Sequence, residues 1–108
     1  MNFQSNYALD TLDLSSLEEV DGGFEFSNND DIIDLELPAL LDIGSSMNIN
    51  DNDSMLSMSA PLLSSLGSTL TIRDNSDLTT VDLASLTCVS DFTIEGNDLS
   101  EESHYLLL

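Results

Sequence analysis

The sequence predicts an all-β protein, a right-handed parallel β-solenoid (β-helix) of about four to five coils with a 23-residue repeat. The first observation is an asparagine that returns at intervals of 23, 23, 23 and 22 residues, at Asn6, Asn29, Asn52, Asn75 and Asn97. The second is that apolar pairs recur at fixed offsets from it and alternate with polar residues, as in strands with one buried face. The third is that no window carries an apolar stripe of helical period and length. Together these features favour a stack of similar coils.

The first strand of each coil ends just before the asparagine. Its inward pairs are Met1/Phe3, Phe24/Phe26, Met47/Ile49, Leu70/Ile72 and Phe92/Ile94. The residues between and after each pair are expected to point outward and to form two polar columns. These columns are Asn2, Glu25, Asn48, Thr71 and Thr93, and Gln4, Ser27, Asn50, Arg73 and Glu95.

The rest of each coil holds further short apolar pairs separated by residues that favour turns. The second set is Leu12/Leu14, Leu35/Leu37, Met58/Ala60 and Val81/Leu83, and the third is Leu17/Val20, Leu40/Ile43, Leu63/Leu66 and Leu86/Val89. Gly, Pro, Asp, Asn and Ser separate the pairs, each with its own way of forming a tight turn. We therefore expect two or three strands per coil, joined by tight corners and paired in parallel with the next coil.

The chain divides into coils of approximately 1–23, 24–46, 47–69, 70–91 and 92–108, which form a single repeat domain. Met1 has the phase of Phe24, so the chain begins in mid-coil, and the pattern breaks after Asn97. We expect a fragment of a longer solenoid. An uncapped solenoid end presents an open strand edge, which favours end-to-end self-association.

The asparagines are interpreted as a structural ladder rather than as ligand-binding residues. A corner inside a solenoid leaves backbone N–H and C=O groups without strand partners, and a bare buried group costs about 1–3 kcal/mol. An inward asparagine side chain carries both donors and an acceptor, so stacked copies can bond to the corner backbone and to each other. The alternative is a polar ligand site, but such a site would not need renewal in every coil.

The charge is strongly acidic, with 21 Asp and Glu against the single base Arg73, no lysine, the lone histidine His104 and a net charge of −20. Nucleic acid and anionic membrane surfaces are therefore excluded as partners, because both require Lys and Arg. Residues 105–108 form an apolar run far too short to insert into a membrane. Residues one period apart stack, so Asp13 lies beside Glu36, at a cost of roughly 0.8 kcal/mol for a like pair in water.

Two explanations of the acidity stay open. One is a solvated surface that suits solubility or a saline environment. The other is calcium bound at the corners, since hard cations take several carboxylate and carbonyl oxygens. The candidate ligands are Asp30, Asp31, Asp51, Asp53, Asp74, Asp77 and Asp98, although their spacing is not constant from coil to coil. No other cofactor is predicted, and the one cysteine, Cys88, is read as an unpaired, partly exposed thiol.

The repeat unit LSSLGSTLTIRDNSDLTTVDLAS, which starts at Leu63, resembles the receptor L-domain family. It is also similar to GPI-anchored fungal cell-wall proteins of the sporulation-specific type, with coils of the form Leu-x-x-Ile-Gly-Gly-x-Leu-x-Ile-x-x-Asn-x-x-Leu. Residues 17–32, 40–55 and 63–78 match this pattern, and 89–99 fit the spacing of the related leucine-rich repeats as well. The resemblance implies a single-stranded right-handed β-helix and an extracellular or cell-surface location. Because the shared motif consists of core and corner positions only, it transfers no ligand-binding residues.

The function expected from these features is a non-catalytic module of the cell surface or cell wall. It would act as a rigid structural spacer or as a recognition surface for an unknown protein or glycan. One alternative is a polysaccharide-cleaving β-helix enzyme, but repeated solvent columns offer no two carboxylates in unequal environments to serve as acid and base. Another is an ice-binding solenoid, which would want a regular threonine column, and only Thr71 and Thr93 align.

Overall fold

The computed structural model describes residues 1–99, which form eleven short β-strands and no helix. The strands are β1 (Asn2–Gln4), β2 (Glu19–Val20), β3 (Phe24–Ser27), β4 (Asp34–Glu36), β5 (Asp42–Ile43), β6 (Met47–Asn50), β7 (Ser57–Ser59), β8 (Ser65–Leu66), β9 (Thr69–Arg73), β10 (Thr80–Asp82) and β11 (Asp91–Glu95). None of the described residues therefore belongs to a helix that could span a membrane. The predictions that concern His104 and residues 105–108 lie outside the described residues.

The strands stack into three parallel sheets, which confirms a β-solenoid of about four turns with a spacing of about 23 residues. The first sheet has the order β1-β3-β6-β9-β11, the second β4-β7-β10 and the third β2-β5-β8. The second and third coils each contribute one strand to every sheet, so three strands per coil is the full pattern. The pairs Phe24/Phe26, Met47/Ile49, Leu70/Ile72 and Phe92/Ile94 lie on strands of the first sheet, whereas Leu12/Leu14 and Leu86/Val89 lie outside the strands.

The strand register follows the repeat and shows where the short interval arises. Phe24 pairs with Met47 and Met47 with Leu70, each 23 residues apart. Ser65 still bridges Cys88 at 23 residues, whereas Leu70 pairs with Phe92 at 22. The missing residue therefore belongs to the turn between the third and first sheets, before β11.

The core is a continuous apolar column inside the three sheets. Its most deeply enclosed side chains belong to the second, third and fourth coils and include Phe24, Phe26, Ile43, Met55 and Leu63. In the first coil Leu9, Leu12, Leu14 and Leu17 are only partly buried, and they pack against this core. The first coil has a described coil on one side only, which accounts for the lower burial of its inward side chains.

The prediction that Phe92 points into a closed core is therefore wrong for the described residues, where its side chain is 53% exposed. Among those residues β11 has one strand neighbour, β9, so the ring lacks a coil on its other side. Met1, which has the same phase at the other end of the solenoid, is 46% exposed for the same physical reason. The register prediction holds for Phe92, and only its enclosure differs.

Two glycines mark a corner where neighbouring coils approach each other at the backbone. A Cβ on Gly44 would collide with the carbonyl group of Asp21, and a Cβ on Gly67 would collide with that of Gly44. The amides of both glycines donate along the axis, Gly44 to the carbonyl of Val20 at 2.7 Å and Gly67 to that of Ile43 at 2.9 Å. Gly44 and Gly67 are therefore required by close coil-to-coil packing, whereas a Cβ on Gly22 would meet no atom within 4 Å.

Candidate functional site

The asparagine ladder runs along the corner between the first and second sheets. The side-chain oxygen Oδ1 of each asparagine accepts the backbone N–H of the asparagine one coil earlier. The N–H of Asn29 donates to Asn52 Oδ1, that of Asn52 to Asn75 Oδ1 and that of Asn75 to Asn97 Oδ1, each at 3.0 Å. Asn6 makes the corresponding bond to Asn29 Oδ1 at 3.3 Å. The backbone N–H at each of these corners thus donates to the asparagine side chain of the next coil.

The side-chain amides complete the ladder. Each Nδ2 donates to a strand carbonyl of the preceding coil, and the acceptors are Phe3 for Asn29 at 2.9 Å, Phe26 for Asn52 at 3.0 Å, Ile49 for Asn75 at 3.0 Å and Ile72 for Asn97 at 2.9 Å. The amides also bond to the next asparagine, as Asn52 Nδ2 does to Asn75 Oδ1 at 3.0 Å. Asn29, Asn52 and Asn75 are fully buried, and no buried side-chain N or O atom in residues 1–99 lacks a partner. The buried asparagines of this column thus use their polar atoms to bond the corners of neighbouring coils.

A second column lies directly before the ladder, and sequence reasoning missed it. Ser5, Asn28, Asp51, Asp74 and Gly96 all have positive φ, between 55° and 73°. This left-handed region is open to glycine and is tolerated by Asn and Asp because their short side chains bond locally. The signal in the sequence was the restriction of this position to small, turn-forming residue types. Asp51 and Asp74, two of the calcium candidates, thus have a conformational reason for their identity.

The seven aspartates proposed as calcium ligands lie along this corner but do not converge. Within residues 1–99, no group of three or more His, Cys, Asp and Glu side chains is arranged to hold a metal ion. Asp30 is half-buried and the other six are exposed. Two have partners of other kinds: Asp51 Oδ2 accepts from Asn50 Nδ2 at 2.9 Å, and Asp74 Oδ2 lies 3.7 Å from Arg73. The arrangement is a string of separate carboxylates.

On the strand faces, carboxylates are stacked against hydrogen-bond donors. Ser57 Oγ donates to Asp34 Oδ1 at 2.6 Å, and Ser65 Oγ donates to Asp42 Oδ1 at 2.5 Å. Asn48 Nδ2 donates to Glu25 Oε2 at 3.0 Å on the first sheet. The register thus places a neutral donor one coil after each of these acids, which limits the stacking of like charges that the sequence led us to expect.

Asp13, which the sequence places beside Glu36, is held within its own coil. Its Oδ1 accepts from the hydroxyl and the backbone N–H of Ser15, at 2.6 and 3.0 Å. The hydroxyl bond, followed by the backbone bond, holds the pKa of the Asp13 carboxyl below its usual value of 3.8. Its charge is therefore stabilised by a local turn.

The outward columns of the first sheet keep the predicted register, with one difference in exposure. Gln4 pairs with Ser27, Ser27 with Asn50, and Asn50 with Arg73. Ser27 is nonetheless buried, at 3% exposure, because its short side chain lies in a column of longer ones. This face is therefore polar and uneven.

Arg73 and Cys88 are the remaining chemically distinctive side chains of the described chain. Arg73 Nε lies 3.3 Å from Glu95 Oε1, and the contacts of Arg73 with Glu95 and Asp74 are the only two ion pairs within residues 1–99. Cys88 is an exposed free thiol that accepts a weak bond from the Thr87 hydroxyl at 3.8 Å. The hydroxyl of Thr87 is not a base that would activate this thiol as a nucleophile.

Comparisons with known proteins add no assignment to this geometry. No family model, no curated protein and no solved structure matches the chain. The resemblance to receptor L-domains and fungal cell-wall repeats therefore stays a prediction from the repeat motif.

Proposed function

We propose that this chain is a non-catalytic module of a cell surface or cell wall, acting as a rigid spacer or as a recognition surface. The observation that carries the proposal is the uninterrupted asparagine ladder, which repeats one hydrogen-bond pattern from Asn6 to Asn97. A ladder whose buried polar atoms are all satisfied resists bending and slippage between coils. The surface location rests on the motif resemblance alone.

The distribution of polar groups supports a non-catalytic role. Acid–base catalysis needs groups whose environments drive their pKa values apart. The lowered pKa of the Asp13 carboxyl is explained by the hydroxyl of Ser15 in a local turn. The acids instead recur at repeated positions along the solenoid.

Hydrogen exchange and glycan turnover together test the proposal. A rigid spacer is expected to show slow, uniform amide exchange through the second, third and fourth coils, because their corner amides are bonded along the axis. Incubation with acidic and neutral polysaccharides is expected to release no reducing ends. Fast exchange in the central coils would contradict the rigid-spacer role, and turnover abolished by a single carboxylate substitution would replace the proposal with an enzyme.

A glycan array and a protein pull-down separate the two forms of the proposed role. Specific, saturable capture at physiological salt would favour a recognition surface. Its absence in both assays would favour a structural spacer. The matched control for both is Asn52→Ala, whose disrupted ladder is expected to reduce any binding that needs the folded solenoid.

A further inference from the structure

Exposed apolar side chains gather at both ends of the second sheet, in the second and third coils. Ile33 and Leu56 lie at the start of its strands and are 44% and 46% exposed. They stack directly, since the N–H of Leu56 donates to the carbonyl of Ile33 at 2.7 Å. In the turn that follows the sheet, Leu62 of the third coil is 51% exposed, and Pro38 in the same turn of the second coil is exposed as well.

Two carboxylates lie between these apolar ends. Asp34 and Glu36 are the exposed, outward residues of β4. Ser57 Oγ bonds to Asp34 Oδ1 and fixes the orientation of that carboxylate. Both ion pairs of the described chain involve Arg73 on the first sheet, so Asp34 and Glu36 have no cationic partner within residues 1–99. We name the surface formed by Ile33, Asp34, Glu36, Pro38, Leu56 and Leu62 the second-sheet face.

The dimensions of the second-sheet face suit one extended polypeptide segment. Residues 34 to 36 form β4, residue 33 directly precedes it and Pro38 lies in the turn that follows. Neighbouring coils lie about 4.8 Å apart. Asp34 and Glu36 are two residues apart, as are alternate side chains on one side of a partner strand. A segment with two basic residues at that spacing and an apolar residue beyond each would match the order of side chains on the face.

Resting on the recognition form of the proposed function, we propose that the second-sheet face binds an extended basic segment of another protein, with apolar residues flanking the basic ones. Charge complementarity selects this occupant: a chain of net charge −20 attracts a cationic segment. A second copy would bring Asp34 and Glu36 against identical carboxylates. The apolar contacts at the two ends favour binding at this face over binding at the other acidic surfaces of the chain.

The experiment is a ¹H–¹⁵N NMR titration of the whole chain at low salt with the end-blocked peptide LTKTKTL. Peptides LTETETL and STKTKTS are the matched controls, lacking the positive charge and the apolar ends respectively. We expect shifts confined to the amides of residues 33–39 and 56–62, with affinity at least about tenfold lower at 0.5 M NaCl because surface charge is screened. Both control peptides are expected to bind at least about fivefold more weakly.

Paired variants of the chain test the same face. Asp34→Asn with Glu36→Gln is expected to weaken LTKTKTL binding at least about tenfold. The control pair Glu25→Gln with Asp91→Asn removes two charges from the first sheet and is expected to change binding less than about twofold. Ile33→Ser with Leu56→Ser should weaken binding at least about fivefold, whereas Leu41→Ser, at 47% exposure on another face, should leave it unchanged.

Several outcomes would overturn the proposal. One is the absence of chemical-shift changes at about 5 mM peptide, a concentration beyond the range of weak specific binding. The others are shift changes spread over all acidic surfaces, and a loss of affinity in the first-sheet control pair equal to that in Asp34→Asn with Glu36→Gln. Self-association that Ile33→Ser with Leu56→Ser abolishes would assign the face to a second copy instead. An inert face would leave the spacer role intact, while glycan turnover would overturn the non-catalytic role and leave the face unaffected.

Discussion

Replacing Asn52 with alanine should lower the free energy of unfolding of the solenoid more than any conservative substitution at its surface does. Asn52 is fully buried at the centre of the ladder. Its Oδ1 accepts the N–H of Asn29 at 3.0 Å, and its Nδ2 donates to the carbonyl of Phe26 at 3.0 Å. Alanine removes both partners, so it leaves at least one buried backbone donor bare and deprives one carbonyl of a donor.

The magnitude follows from the cost of an unsatisfied buried group, about 1–3 kcal/mol each. Two such groups give about 2–6 kcal/mol, and water entering the space vacated by the side chain brings the expected loss to about 2–4 kcal/mol. A domain of this size has a total stability of about 5–15 kcal/mol. With about 4–8 °C of Tm per kcal/mol, the melting temperature should fall by at least about 8 °C.

Asn6→Ala is the matched control, because Asn6 belongs to the same ladder but is exposed at its end. It loses one side-chain bond, from Nδ2 to Asn29 Oδ1 at 2.9 Å, and that oxygen keeps the backbone N–H of Asn6. We expect a change of about 0.5 kcal/mol or less, since water replaces the lost partner.

Urea titration followed by circular dichroism, with calorimetry for the melting temperature, compares the wild type and the two variants. The corner-bonding role of the ladder would be refuted if Asn52→Ala melted within about one degree of the wild type. It would also be refuted if Asn52→Ala and Asn6→Ala melted at the same temperature. Asn52→Asp adds a further check, because it keeps the acceptor and the shape but removes the donors. It should be destabilised at neutral pH and partly recover in acid, as protonation removes a buried charge.

Four further results are expected from the geometry. Gly67→Ala should cost about 1–3 kcal/mol in urea unfolding because its Cβ meets a backbone carbonyl that cannot move aside, whereas Gly22→Ala, with no atom within 4 Å, should change stability by about 0.5 kcal/mol or less. Asp51→Gly should raise the melting temperature, because glycine adopts φ = 57° without strain. A lower melting temperature of this variant than of the wild type, with calcium in both samples, would instead favour a ligand role for Asp51. In Ser15→Ala, an NMR titration should show the Asp13 pKa rising toward 3.8; in the wild type this bond stabilises the fold above pH 3.8, and its contribution disappears as the pH falls through the lower folded pKa. Calorimetry in calcium and in sodium at matched ionic strength should give equal stabilisation, and an excess in calcium would restore the metal-site hypothesis.

The register could be predicted from the sequence because repetition makes each position visible several times. The 22-residue interval before Asn97 even indicates the turn with a missing residue, and Phe92 pairs with Leu70 as that interval requires. The left-handed column could not be predicted with the same ease. Ser5, Asn28 and Gly96 are residue types common in any turn, and backbone φ has no period of its own in a sequence.

Burial also lay beyond the sequence wherever it depends on neighbouring coils rather than on phase. Ser27 has an outward phase but is covered by its column, whereas Phe92 has an inward phase but is exposed. Ile33 and Leu56 belong to neither the inward pairs nor the outward columns that the sequence indicates, because they fall between the apolar pairs. Their exposure became visible only once the strands of the second sheet were in register, and they now supply half of the apolar surface in the proposed docking face.

The charge pattern is best understood as a consequence of stacking. In a solenoid every outward residue meets its equivalent one coil away, so an acid repeated in one column repels itself along the whole length. On the strands, Asp34, Asp42 and Glu25 are each followed by a neutral donor in the next coil, and Glu95 is stacked on Arg73. The direct like-charge pair on the strands is Glu19 with Asp42, which costs roughly 0.8 kcal/mol at about 5 Å in water. The stacked acids Asp51 and Asp74, before the ladder, and Asp30 and Asp53, after it, lie outside the strands. This arrangement limits contacts between like charges on the strands, and it is why calcium and sodium at matched ionic strength are expected to stabilise the fold equally.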